Sequence, residues 1–214
     1  MSTFYKIYGV TQDHNVNSYN HPTYAASRTT VLGADAASAT PISIGEYFAV
    51  GPQYSCEQGV FAFDTTPVAG LSVSGATFVL MDVGDLTAFG TLEAREHNWT
   101  YGGGTANWVS GIDLASKVLF GAATKAAGAG PLTFTGTSIT TLANPYKLIV
   151  FDQRQRTNVA PTANELMHVY PADEAGTSFD PYLAFEVRYP SAREGWNAGL
   201  SARRDRANAH WARR

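Results

Sequence analysis

Cysteine is almost absent from this chain of 214 residues: Cys56 stands alone. No intrachain disulfide can staple the fold, and Cys56 sits in no context that would lower its pKa, so it is read as structural. Charge is scarce too. Asp, Glu, Lys and Arg make up 15% of the residues, too little for a coiled coil or a charged helical bundle. No run approaches the roughly 18 consecutive apolar residues of a membrane-spanning helix. The opening Met1–Lys6 has no basic stretch followed by an apolar one, so no signal peptide is expected.

Catalytic motifs are missing as well. There is no P-loop and no His-Glu-x-x-His pair. The glycines from Gly102 to Gly104 follow no parallel unit, and Gly70–Gly75 does not fit a nucleophile elbow. A glycosidase needs two carboxylates facing one cleft. Glu93 and Glu96 lie at odd spacing, as do Asp82 and Asp85, so each pair points to opposite faces of a strand. No enzymatic activity is expected.

What remains is a β-rich composition: 44% hydrophobic residues, with Gly 20 and Pro 10. Residues 42–50 read as a strand pair or a kinked strand. Val60–Phe63, Ala76–Val83 and Lys147–Phe151 are apolar runs of the buried kind, and Leu166–Tyr170 follows. In Thr91–His97, Leu92 and Ala94 point one way and Glu93, Arg95 and His97 the other. The cleanest alternation is Tyr182–Tyr189, with Leu183, Phe185, Val187 and Tyr189 on one face. Turn residues separate these segments, so the expected class is all-β, a jelly-roll β-sandwich over residues 1–190. Its start is read as a polar arm, with Asp13–Pro22 as loop. Asp113–Phe120 is read as two turns of helix.

Residues 191–214 differ. The last 22 residues hold six arginines against Glu194 and Asp205, a charge of +4, so the rest carries −7 of the net −3. An acidic body argues against nucleic acid as a partner. In the tail Trp196, Leu200, Ala207 and Trp211 fall near one helical face. Trp196, Leu200, Arg204 and Trp211 are therefore the candidate docking residues of a short C-terminal helix, because Trp and Arg dominate interface hot spots. The alternative is a solvated tail.

No metal-ligand spacing stands out. His14 and His21 lie near Asp13 in the arm, and Glu96 and His97 are adjacent. A catalytic metal is not expected. A structural Ca²⁺ held by loop oxygens, with Asp82, Asp85 and Asp113 as candidates, is the one ion the composition accommodates. Beyond it no cofactor is expected. Asn98-Trp99-Thr100 matches a glycosylation acceptor and is read as chance.

Trp99, Tyr101 and Trp108 flank a glycine turn. Aromatic faces stack on sugars while their polar edges find hydrogen bonds, so these three are the candidate carbohydrate-binding residues. In the other reading Trp99 and Trp108 anchor core corners and Tyr101 is the exposed ring.

Three landmarks in order resemble DNRLRE-type domains: Val60–Leu80 with its Phe63-Asp64 strand end, the Trp99…Trp108 segment, and Asp180–Tyr189 with its closing Pro-x-Leu strand. The namesake polar hexapeptide of that family is absent. The resemblance implies a jelly roll of carbohydrate-binding-module type, as found on secreted cell-wall proteins and on phage virions. Phe63 is then core and Asp64 caps the next turn. The expectation is a non-enzymatic virion surface protein, a tail, head-fibre or spike component assembled in the host cytoplasm. Its partners would be host surface polysaccharide, other virion proteins and further copies of itself as a homo-oligomer, with no membrane insertion. The alternative is a purely architectural adaptor or decoration protein with no glycan ligand.

Overall fold

The computed structural model describes residues 2–10, 12–31, 33–34, 41–49, 53–84, 89–102, 104–125, 128, 130–136, 138–172 and 178–189. The tail residues Trp196, Leu200, Arg204 and Trp211 lie outside them, as does Asp85. The fold is all-β. Its strands are β1 (Ser2–Tyr8), β2 (His14–His21), β3 (Gly33–Ala34), β4 (Ile42–Ala49), β5 (Gln53–Phe63) and β6 (Ser72–Asp82). Then come β7 (Phe89–Glu96), β8 (Leu119–Lys125), β9 (Gly130–Gly136), β10 (Tyr146–Asp152), β11 (Glu165–Val169) and β12 (Tyr182–Arg188). Among the described residues, two short helices, α1 (Tyr24–Ser27) and α2 (Gln153–Thr157), and three 3-10 turns join them.

Every strand pairing is antiparallel, in the order β1-β12-β6-β11-β4-β5-β10-β7-β8, with β2 on the other side of β5 and β9 on β6. The ends of this order share one core. Phe78 of β6 packs on Phe120 of β8 and on Phe134 of β9, and a Cβ on Gly121 would strike the β9 backbone at Thr135. The sheet therefore curls until its far strands meet. The main cluster takes Phe61 and Phe63 from β5, Leu148 and Val150 from β10, and Leu183, Phe185 and Val187 from β12. The alternation in β12 thus selects the core-facing set. Phe63 is fully buried, and Asp64 Oδ1 accepts from the Thr66 amide and hydroxyl at 3.0 and 2.6 Å, closing the next turn.

A second, smaller cluster lies on the opposite face of β5 and β10. Val60, Ala62, Ile149 and Phe151 meet Trp99, Val109 and Leu114 there. These central strands are buried on both faces, which explains their continuous apolar runs.

Two readings change. Asp13–Pro22 is not a loop in an arm. His14–His21 is a strand whose polar side chains are buried by pairing with the equally polar start of β5. Asp113–Phe120 is a single 3-10 turn, Asp113–Ser116, that runs into β8. The kinked strand at 42–50 is β4, and Gly45 makes the kink with φ +131°. A Cβ there would lie 2.2 Å from the Glu165 carbonyl oxygen.

Candidate functional site: an open groove beside the aromatic loop

An open groove of about 550 Å³ is lined by Glu96–Asn98, Ser116–Val118 and Ala143–Lys147. That volume lies within the range of small-ligand sites, about 300–1,000 Å³. Backbone bonds set its walls: the Glu96 amide donates to the Val118 carbonyl at 2.8 Å, and the His97 amide to the Lys147 carbonyl at 3.2 Å. The groove mixes polar and apolar lining. Glu96 accepts from the Tyr146 hydroxyl at 2.8 Å. His97 Nε2 donates to the Asn107 carbonyl at 3.2 Å. Burial lowers the His97 pKa, and the charges of Lys117 and Lys147 lower it further. At neutral pH the ring is therefore neutral.

The aromatic loop forms the groove's border. Trp99 is 2% exposed and donates its indole N–H to the Phe61 carbonyl at 3.3 Å. Its ring has no face to offer a sugar, so of the two readings for Trp99 the core corner is the one observed. Trp108 is half-buried against the second cluster, and its indole N–H is buried without a hydrogen bond. Tyr101 is 39% exposed and stands edge-on to Trp99 at 5.1 Å. Lys147 joins loop to groove: its ammonium donates to the Trp99 carbonyl at 2.6 Å and sits 4.2 Å from the Tyr101 ring centre. Of the three predicted aromatics, Tyr101 is the exposed one, Trp108 is half-buried and Trp99 is buried.

Asn107 holds the loop's shape. Its side chain accepts from the Thr100 amide and donates to the Thr100 carbonyl, both at 2.8 Å. It also reaches His14 Nε2 at 3.2 Å. His14 Nδ1 donates to the Gln12 carbonyl at 3.0 Å, so Nε2 is the acceptor and both ring nitrogens are used. Burial keeps His14 neutral, and its role here is structural. Neither His14 nor Asn107 was expected to support the loop, because they lie far apart in sequence.

The candidate calcium ligands do local work. Asp82 Oδ1 accepts from the Gly84 amide at 3.1 Å, and Asp113 Oδ2 accepts from the Ser110 hydroxyl at 2.7 Å. The one group of three metal-ligand side chains among the described residues is a different set: Glu46, Asp152 and Glu165, with ligand atoms within 4.8 Å of one another. Arg154 lies among all three. It pairs with Asp152 at 2.7 Å, with Glu46 at 3.3 Å, and with Glu165. The guanidinium stands where a cation would. Tyr24 donates to Glu46 Oε1. Burial and Asp152 push the Glu46 carboxyl up to about 8, against the opposing pull of Tyr24 and Arg154.

Glu93 and Glu96 part company as their odd spacing requires. Glu93 is buried and takes Arg95 at 2.8 Å and Arg156 at 2.6 Å. Burial would raise its pKa, but the hydrogen bonds from Arg156 and Arg95 outweigh it and hold the carboxyl below its ordinary value. Glu96 lines the groove.

The likeness to DNRLRE-type domains rests on the three quoted motifs: no protein-family model matches the chain, and no curated protein matches its sequence.

Proposed function

We propose that the chain is a non-enzymatic glycan-binding domain, a jelly-roll β-sandwich, that serves on a virion surface and holds host-envelope saccharide in this groove. The observation that carries the reading is the pairing of a groove of about 550 Å³ with the exposed Tyr101 ring, whose centre lies 4.2 Å from the ammonium of the groove residue Lys147. A sugar needs both: hydrogen-bond partners for its hydroxyls and a π-face for its C–H surface. Asn98, Ser116 and Asn144 in the groove supply neutral polar groups, and Tyr101 beside Lys147 supplies the ring. A single shallow site binds weakly, and multiple copies on a particle would raise the avidity. The test is binding of purified protein to host cells and their extracted surface polysaccharide, with Tyr101→Ala beside it. Saturable binding, competed by free polysaccharide and weakened at least tenfold by Tyr101→Ala, is the expected result. Absence of binding by folded, multivalent protein would overturn the reading.

One observation favours the architectural alternative. Strand β1 ends the sheet order, and its Phe4 is 70% exposed. An open edge with an exposed aromatic is suited to another protein chain. Phe4→Ser would then impair particle assembly and leave glycan binding intact.

A further inference from the structure

The charges that line the groove do not match the charge of the chain. The chain as a whole carries −3. The groove sets the ammonium groups of Lys117 and Lys147 against a single carboxylate, Glu96, and that carboxylate accepts the Tyr146 hydroxyl at 2.8 Å. The two lysines come from different elements, one after the 3-10 turn Asp113–Ser116 and one in β10. They nevertheless line one groove, together with His97.

The two ammonium groups differ in commitment. Lys147 is held by the Trp99 carbonyl and the Tyr101 ring. Lys117 forms no ion pair among the described residues; its carbonyl accepts from Arg95 at 2.7 Å and its amide donates to the Leu114 carbonyl at 3.2 Å. Arg95 pairs with Glu93 at 2.8 Å, a carboxylate it shares with Arg156. Asp13 and Asp64 both act on Tyr101, the Asp64 carboxylate accepts from Thr66, and Asp113, in the turn before Lys117, accepts from the Ser110 hydroxyl. A compact ammonium on a flexible stem, half-exposed in an open groove, is suited to a negative group brought by a ligand.

We propose that the groove selects anionic saccharides, with Lys117 and Lys147 receiving a carboxylate or phosphate group while the sugar ring lies toward Tyr101. This rests on the glycan reading above and specifies its ligand class. Uronate and phosphodiester polymers share the required chemistry. A neutral polymer would leave both ammonium groups without a counter-charge from the ligand.

The test titrates the full chain with four soluble probes: polygalacturonate, a phosphodiester-linked hexose polymer, dextran and polyglutamate. Binding of either acidic polymer of the first two at least tenfold more tightly than dextran is expected, weakening as salt is added. The arm that binds more tightly identifies carboxylate or phosphate as the preferred group. Lys117→Glu should reduce that binding at least tenfold, and Lys117→Arg should retain most of it, with unchanged near-UV dichroism as the control for folding. Lys147→Gln should also weaken it. Equal binding of dextran and polygalacturonate would overturn the anionic class and leave the glycan reading standing. Binding of polyglutamate as tight as polygalacturonate would keep the anion selectivity and overturn the glycan reading. Acidic-polymer binding indifferent to both lysines would overturn this site, and silence from all four probes would overturn both proposals.

Discussion

Two polar constellations in this protein have similar ingredients and opposite designs. Around Arg154, three carboxylates and a tyrosine hydroxyl enclose one guanidinium, and Glu46 and Asp152 are fully buried. In the groove, two lysines, one histidine and one glutamate line an open surface. The first set commits its cation completely, and its product is a tie between β4, β10, β11 and α2. The second leaves Lys117 uncommitted. Charge in a protein is therefore not evidence of a site until its partners are counted. The richer cluster is the structural one.

The groove also differs within itself, between a buried foundation and an exposed border. Trp99 belongs to the foundation, with its ring in the second cluster and its N–H on Phe61. The largest effect is expected here: Trp99→Ala should cost about 3–5 kcal/mol, as large-to-small changes of buried aromatics do, read as a shift of the denaturant midpoint. A cost below about 1 kcal/mol would show that Trp99 is not a core residue.

Next in size is Arg154→Met, which removes the cation from beside Asp152, Glu165 and a Glu46 carboxyl that its raised pKa keeps largely protonated at neutral pH. Breaking a buried pair costs about 3–5 kcal/mol. The low end, about 3 kcal/mol, applies because the Arg154 side chain is 19% exposed. The loss should shrink as pH falls, since protonated carboxyls need no counter-charge. The groove should bind as before in the folded fraction, because no groove residue touches Arg154. Loss of both together would mean that the two regions are one unit.

The contrast between the regions also explains what could be read from the sequence. Strands β6, β10 and β12 are legible because their apolar residues alternate or run together, and Leu183, Phe185 and Val187 indeed enter the core. Strand β2 is not legible. Asn15, Asn17 and Ser18 are buried opposite Gly59, Glu57 and Cys56, where Asn15 donates to Glu57 and Ser18 to the Thr30 carbonyl, and such buried polar residues leave no hydrophobic period. Gln58 shows the same device: buried, it takes the Val109 amide and donates to the Val109 carbonyl and to Gln155. The groove was half legible. Its border is local, since Trp99, Tyr101 and Trp108 lie in one segment. Its walls come from three separate stretches that the β7–β10 and β7–β8 pairings bring together. The Arg154 cluster was illegible for the same reason, as Glu46 and Glu165 meet only through the register of β4 with β11.

A smaller effect separates the regions by pH. The Glu46 carboxyl is raised to about 8 in the folded protein, against about 4.3 in an unfolded chain. Between these values the native state binds the proton that the unfolded state has released. Stability is therefore fullest below about pH 4.3 as far as this group is concerned, and it falls as pH rises toward 8. The slope is at most about 1.4 kcal/mol per pH unit. Glu46→Gln should flatten the dependence across that window, measured by urea midpoints at several pH values. An unchanged slope would place the proton elsewhere in the cluster.

The smallest expected change in stability is the most informative about function. Tyr101 is exposed, and its ring contacts are the edge of Trp99 and the ammonium of Lys147. Tyr101→Ala should alter stability by no more than about 0.5 kcal/mol, as surface changes do. Lys147 keeps its bond to the Trp99 carbonyl, so the loop has no reason to move. Binding of saccharide should nevertheless fall, because the ring is the only exposed π-face of this loop. Trp99→Ala should do the reverse in proportion, losing stability first and binding only as the fold is lost. If Tyr101→Ala instead destabilises the chain as Trp99→Ala does, the ring belongs to the foundation. The groove would then have no aromatic border, and the case for a sugar would rest on hydrogen bonding alone.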